Sequence, residues 1–241
     1  MRCAVLSDIH GNLEALEAVL ADVAALRPDR IVCLGDFVGY GASPNECIAR
    51  LRPLVAEAVA GNHDLAACGR LRLGYFNDAA AEAARWTDVS LTPEHRAYLH
   101  ALPYEARLPG ARLVHASPAA PTGWHYVLST RDAEEEMAAF DEPLCFIGHS
   151  HYPGLFEKDG RTVRYTRDAE VAMRPGRKYL VNVGSVGQPR DGDPRAAWLL
   201  WDEAGRRLVH RRLVYDVEAA GRRIIEAGLP RFLADRLQWG E

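Results

Sequence analysis

Five short apolar runs in this chain each stop at a group of polar residues that bind metals well. Residues 3–6 break at Ser7-Asp8-Ile9-His10-Gly11-Asn12, 31–34 at Gly35-Asp36, 54–60 at Gly61-Asn62-His63-Asp64, 112–114 at His115, and 144–147 at Gly148-His149-Ser150-His151. Apolar runs of this length, bounded by turn residues, read as buried strands. In an α/β sheet the loops beyond the carboxyl ends of parallel strands share one rim, and ligands bind there. Five of the nine histidines fall on these stretches. The two imidazoles of His149-Ser150-His151 converge on one place if the backbone between them is extended.

The order of elements follows from spacing. After residues 3–6, Leu13, Leu16, Val19, Leu20, Val23 and Leu26 recur at helical intervals until Pro28, and residues 31–34 make the next strand. That unit implies a right-handed crossover and a parallel pair. Ser43-Pro44-Asn45-Glu46 reads as a helix start, with Ser43 as cap, Pro44 at the first helical position and Glu46 completing a capping box. Helical patterns follow at 79–86 and, from Thr92-Pro93, at 94–102. Ser129 or Thr130 starts another, with Met137 and Phe140 on one side. Lys158-Asp159-Gly160 predicts a hairpin turn. Residues 179–183 predict a strand, and 198–201 with 208–214 a final strand pair. A helical tail over 217–237 has Ile224, Ile225, Leu229, Leu233 and Leu237 as its apolar positions. Strand–helix–strand first and hairpins later predict two sheets covered by helices, in one domain spanning 1–241.

Composition excludes some partners. Lys+Arg 29 against Asp+Glu 33 gives a net charge of −4, so no global basic field invites non-specific nucleic-acid binding. No apolar run approaches the roughly 18 residues of a membrane span. The odd count of five cysteines, with no Cys-x-x-Cys and no signal peptide, points to a reducing compartment and a cytoplasmic protein. Cys3, Cys33 and Cys145 read as buried small hydrophobes. His95, His100, His125 and His210 lie off the rim and are assigned ordinary roles.

Asp8, His10, Asp36, Asn62, His115, His149 and His151 make seven candidate ligands. One closed site needs about four, so seven with one bridging carboxylate suit two sites. Mixed carboxylate, imidazole and amide donors suit manganese, iron or zinc better than magnesium or calcium.

The five motifs, in this order, resemble those of the calcineurin-like metallophosphoesterases: D-x-H, G-D, G-N-H-[DE], H and G-H-x-H, from Asp8 to His151. The resemblance implies an α/β fold of two mixed β-sheets packed as a sandwich and flanked by helices. It implies a binuclear metal centre with one ion on Asp8, His10, Asp36 and His151. The other ion would lie on Asp36, Asn62, His115 and His149, with Asp36 bridging. It makes His63 the proton donor and Asp64 its support. The other reading of His63 is an orienting partner for Asn62, and that of Asp64 a helix N-cap.

The implied chemistry is phosphate-ester hydrolysis, with a metal-bridging hydroxide as nucleophile and a histidine as general acid. Two divalent ions outweigh Asp8, Asp36 and a bridging hydroxide by about one positive charge, so the pocket attracts phosphate. Phe37-Val38-Gly39-Tyr40-Gly41 replaces the x-x-Asp-Arg-Gly of the protein serine/threonine phosphatases and weakens that reading. The chain looks more like the small bacterial phosphodiesterase and phosphoesterase branch, in which a loop like Asn182-Val183-Gly184-Ser185 recurs. A small phosphate ester or nucleotide is the expected substrate. A dinucleoside polyphosphate hydrolase is the alternative, and a non-catalytic scaffold is the reading from another class. Tyr40 walls the site or anchors the core. Arg190 reaches a phosphate or forms a surface ion pair. Trp124 and Tyr126, in the irregular stretch 119–128, stack on a base or cover the core, and that stretch is a candidate lid.

Overall fold

The structure, a computed structural model, describes residues 1–241 except for the side chain of Tyr75. One six-stranded sheet has the order β3 (Glu57–Ala58), β2 (Arg30–Cys33), β1 (Arg2–Leu6), β11 (Ala196–Asp202), β12 (Arg207–Leu213), β9 (Glu170–Ala172). The second runs β4 (Glu105–Leu108), β5 (Ala111–Val114), β6 (Leu144–Ile147), β10 (Lys178–Asn182), β7 (Gly154–Asp159), β8 (Thr162–Thr166). Both are mixed: β1, β2 and β3 are parallel, as are β5, β6 and β10, and the remaining pairings are antiparallel.

Strand alternation explains the layering. Cys3, Val5, Val32 and Leu34 of the first sheet meet Leu113, Leu144, Phe146 and Val181 of the second in a core between the sheets. Their neighbours Ala4, Leu6 and Cys33 turn outward to α1 (Leu13–Leu26), α2 (Pro44–Leu51) and the C-terminal helices. Val114, Cys145, Ile147 and Leu180 turn outward to α6 (Thr130–Met137). Central strands are therefore buried on both faces and read as unbroken apolar runs. All five cysteines are buried and free. No helix among the described residues is long and apolar enough to cross a membrane.

Several boundaries match their spacing. Asn12 caps α1 by accepting from the Ala15 amide, and the helix ends with Arg27 in the left-handed region ahead of Pro28. Thr92 caps α5 (Pro93–Ala101), and Ser129 forms a capping box with Asp132. The β7–β8 hairpin turns at Gly160.

Others differ. Ser43 makes no side-chain cap. Its amide donates to Gly11 O, the donor a capping-box Glu46 would otherwise take, and its carbonyl accepts the ordinary first helical bond from Cys47. The run 54–60 is strand only at Glu57–Ala58: the Val59 amide still bonds Cys33 O of β2, but the Ala60 amide turns away to Pro103 O. The tail is not one helix. Gly228, left-handed at φ 74°, closes α7 (Val217–Glu226) with the Leu229 amide returning to Ile224 O, and Pro230 then leads into α8 (Arg231–Asp235) and a terminal 3-10 turn. Ile225 is 51% exposed, whereas Ile224, Leu229, Leu233 and Leu237 are buried. Strands β4 and β9 lack strong apolar patterns and were not expected. Between β3 and β4 lie α3 (Asn62–Ala67), a 3-10 turn at Leu73–Tyr75, α4 (Asp78–Ser90) and α5.

Candidate metal centre

The seven candidate donors stand beyond parallel strand ends, four on one sheet and three on the other. Asp8 and His10 follow β1, Asp36 follows β2, Asn62 opens α3 after β3, His115 follows β5, and His149 and His151 follow β6. The loops are laced together by main-chain bonds: Asp8 N to Gly35 O at 3.0 Å, His10 N to Asp36 O at 2.9 Å, Gly148 N to His115 O at 2.8 Å and Gly187 N to Asp8 O at 2.9 Å.

The backbone here is strained. Asp8, His10, Asp36, His149 and His151 all have φ between 50° and 64°, in the left-handed region. For residues with a side chain this costs on the order of 1 kcal/mol each, and such strain clusters at functional sites. The expected extended His149-Ser150-His151 is therefore not formed. Its two imidazoles part: His151 joins Asp8 and His10, while His149 joins Asp36 and His115.

Hydrogen bonds fix which nitrogen of each ring is free. Nδ1 of His10 lies 3.1 Å from Val38 O, that of His115 2.7 Å from Leu34 O, and that of His151 2.5 Å from Gln188 O. Only an N–H can donate to a carbonyl, so in the neutral ring each Nε2 carries the lone pair. His149 is the reverse: Nε2 donates to Trp124 O at 3.0 Å, leaving Nδ1 free.

The free atoms face one another. His10 Nε2 and His151 Nε2 are 3.0 Å apart, two lone pairs that need a cation or a proton between them. Asp8 Oδ1 lies 3.2 Å from His151 Nε2, 3.7 Å from His10 Nε2 and 3.9 Å from His115 Nε2. Asp36 Oδ2 lies 3.3 Å from His115 Nε2 and 3.7 Å from His10 Nε2. Asp8 Oδ1, Asn62 Oδ1 and His115 Nε2 are buried with no hydrogen-bond partner. Buried polar atoms in proteins are as a rule satisfied, and these three are orphans within one cluster of donors, so the set fits resident metal ions.

Electrostatics without metal show how tightly the groups are coupled. Burial holds His10 and His151 well below the ordinary imidazole range, and His63 and His149 down to about 4 and about 3. Burial also works against His115, but Asp36 and Asp8 overcome it and raise His115 to about 9. Burial would lift Asp36, yet His115, His63 and His10 keep it well below the carboxylate range.

Each carboxylate is backed by a glycine. A Cβ at Gly61 would lie 2.5 Å from Asp36 Cγ, and one at Gly148 would fall into Ser7 and the Asp8 carboxylate.

Asp64 makes no hydrogen bond to the His63 ring. Burial and nearby Asp36 push its pKa up to about 8. Its carboxyl faces away from the ring and accepts from the amides of Asp36 at 2.7 Å, Gly61 at 3.1 Å and Val38 at 3.3 Å. As the third residue of α3 it reaches back to the cap amide, so the N-capping reading describes it. His63 is held by packing. Tyr40 lies 4.3 Å away, Phe76 meets it edge-on at 4.8 Å, and a Cβ on Gly39 would strike its ring. Its Nδ1 is buried without a partner.

Above the donors opens a cleft of about 380 Å³, with Asp36, Asn62, His63, His149 and His151 on its floor. Tyr40 and Arg190 line it together. Arg190 donates to Tyr40 Oη at 3.2 Å and to Gln188 Oε1 at 2.7 Å, and makes no surface ion pair among the described residues. Trp124 and Tyr126 also line it, and Tyr126 stacks on His149 at 4.5 Å and 14°. His125 is exposed, as its ordinary role required.

Sequence reasoning missed the groups that orient the donors. Val38, Leu34, Gln188 and Trp124 act through carbonyls, which leave no mark in residue type. Asn182 could have been found as a polar residue ending the apolar run 179–183. Its Nδ2 donates to Gly148 O at 2.7 Å and Ser150 Oγ at 2.9 Å, fixing the loop between the two histidines. The Gly-rich loop clamps Asp8, with Ser185 Oγ donating to its carbonyl at 2.8 Å. A Cβ at Gly187 would fall on Ile9 O.

Two mixed sheets with an Asp/His/Asn cluster at their common rim are the architecture of a metallophosphoesterase. Residues 1–203 match the calcineurin-like phosphoesterase superfamily domain. An uncharacterized protein of Methanocaldococcus jannaschii is 39% identical over 98% of this chain and 97% of its own length. A metallophosphoesterase from Sphaerobacter thermophilus superposes with a TM-score of 0.89 at 41% identity, over 100% of this chain and 99% of that one. A hypothetical protein of Pyrococcus horikoshii OT3 shares the fold, with a TM-score of 0.81 at 22% identity over 100% and 98% of the two chains. The chain belongs to the calcineurin-like phosphoesterase superfamily and is a metal-dependent phosphoesterase.

Proposed function

We propose that this protein hydrolyses a small phosphodiester with two metal ions of the manganese, iron or zinc type. Asp8, His10, Asp36 and His151 would hold one ion and Asp36, Asn62, His115 and His149 the other. The observation that carries this reading is the set of buried donor atoms facing one another: Asp8 Oδ1, Asn62 Oδ1 and His115 Nε2 without hydrogen-bond partners, and His10 Nε2 opposite His151 Nε2 at 3.0 Å. Bound there, the ions lower the cost of deprotonating water and offset the negative charge of the phosphate.

The chain's own groups do the rest. Main-chain carbonyls present the correct imidazole nitrogens, so no reorientation is needed when ions arrive. Arg190, already held against Tyr40 and Gln188, offers N–H donors to a non-bridging phosphate oxygen. His63 stands on the cleft floor and gives its proton to the leaving oxygen. Burial disfavours the charged ring, and the incoming phosphate anion favours it. The tail beyond residue 203 belongs to the same domain in this reading, because Ile224, Leu233 and Leu237 share the core of α1. Five free thiols suit a reducing, cytoplasmic setting.

The test is hydrolysis of bis-p-nitrophenyl phosphate by protein loaded with manganese. Asp36→Ala should abolish turnover and lower bound metal. His63→Ala should cost about 100-fold or more on alkyl esters, which need a proton donor, and less on p-nitrophenyl esters. A metal-replete protein inert to diesters, or an active Asp36→Ala variant, would refute the proposal.

A further inference from the structure

The two sides of the cleft differ in chemistry. One side, next to His63, is built from Leu71, Phe76 and Ala80. The other, next to His149, carries Trp124 and Tyr126. We infer that the Leu71–Phe76–Ala80 wall is the leaving-group subsite and that it takes an uncharged aromatic or apolar alcohol. This rests on the reading that His63 protonates the leaving oxygen.

That oxygen must come within hydrogen-bond reach of the His63 ring. When the phosphorus–oxygen bond breaks, the oxygen keeps the electron pair and receives the His63 proton, while oxygen from water bonds to phosphorus. The group carried by the leaving oxygen must therefore emerge along the side of the cleft that His63 occupies. Phe76 is the first surface there, its ring edge-on to the imidazole with centroids 4.8 Å apart.

Among the described residues this wall presents no charged side chain. Leu71 and Phe76 are half-buried carbon surfaces and Ala80 is buried. Asn77, the one polar residue beside them, has its Oδ1 bonded to the Ala80 amide at 2.9 Å as the cap of α4. Outside the metal donors and His63, Arg190 is the only charged residue lining the cleft among the described residues, and it belongs to the Tyr40 end. A leaving group that is itself a phosphate would set its charges against Phe76 and Leu71 without a counter-ion, which is costly. A flat or aliphatic alcohol would instead cover apolar surface there. The wall thus favours simple diesters over dinucleoside polyphosphates.

Binding can be read without turnover, by calorimetry on manganese-loaded protein with methylphosphonate, phenylphosphonate and pyrophosphate. Phenylphosphonate should bind about tenfold more tightly than methylphosphonate. Phe76→Ala and Leu71→Asn should each remove most of that gain, with methylphosphonate affinity and bound metal as in the parent. Tyr126→Ala should keep the gain. Equal affinity for the two phosphonates would overturn the inference. So would loss of the gain in Tyr126→Ala alone, or pyrophosphate binding that depends on Phe76 and Leu71. If no phosphonate and no phosphate binds the loaded protein, the phosphoesterase reading of the centre falls first and takes this one with it.

Discussion

Gly61→Ala is expected to disable the centre without altering any of its donors. A Cβ at this position would lie 2.5 Å from Asp36 Cγ and would also meet the Asp36 main chain. The carboxylate cannot swing away freely, because Asp36 Oδ1 accepts the His63 amide at 2.8 Å and the Asp36 amide is held by Asp64 at 2.7 Å. Relief requires the carboxylate and its loop to retreat by roughly 1 Å, and a misplacement of that size costs about 100-fold in rate, or about 2.7 kcal/mol of barrier. Asp36 is the proposed bridge, so both ions should feel the shift. Turnover of bis-p-nitrophenyl phosphate and the metal content of the purified variant measure the effect together. Gly74→Ala is the control, since a Cβ there meets nothing within 4 Å and its backbone is not left-handed. Full turnover with full metal in Gly61→Ala would refute the claim that this contact positions Asp36.

Three further outcomes are expected. In metal-free protein, the folded pKa of His115 is about 9 against an ordinary 6.5. The Asp36–His115 pair therefore stabilises the metal-free state fully below about pH 6.5 and loses that contribution as pH rises through about 9. An ion binding at His115 must displace this proton, so manganese affinity should rise about tenfold per unit between about pH 7 and 9, and a flat calorimetric profile would contradict it. Asn182→Ala orphans the Gly184 amide and removes one of the two bonds at Gly148 O and at Ser150 Oγ. It should cost about 1–3 kcal/mol, lower the melting temperature by roughly 2–4 °C per kcal/mol, and reduce bound metal; an unchanged melt and metal content would count against it. Asp64→Asn keeps one oxygen for the Asp36 and Gly61 amides but turns its NH2 group toward the buried Val38 amide, and should destabilise by a similar amount. Because Asp64 makes no hydrogen bond to the His63 ring, the ratio of turnover on alkyl and p-nitrophenyl esters should stay as in the parent.

What the sequence made legible is chemistry carried by residue type. Asp8, Asp36 and the imidazoles after apolar runs could be recognised because few other side chains bind metal, and strand ends in an α/β fold converge. The two-sheet architecture followed from strand–helix–strand units preceding hairpins. Backbone geometry was not legible. His149 and His151 part because both are left-handed, whereas simple strand continuation would keep the backbone extended. Ser43 has the composition of a cap, but its hydroxyl takes no amide of the first turn, and its own amide is held by Gly11 O from a distant loop. The choice between two roles for Asp64 depended on where α3 begins, one residue after Gly61, and only that register turns its carboxylate inward to the amides. Phe76 reaches the cleft from a segment whose spacing announced only a coming helix.

Two of the three donor trios draw from both sheets: Asp8 and His10 meet His151 across the sandwich, and Asp36 meets His115 and His149. The ions would thus act as rivets through two leaves that are also tied by a few hydrogen bonds, such as His115 Nδ1 to Leu34 O and His210 Nε2 to Asn182 O. Any slide of one leaf over the other stretches both coordination shells at once, and cation capture becomes a gauge of how the halves of the molecule are aligned.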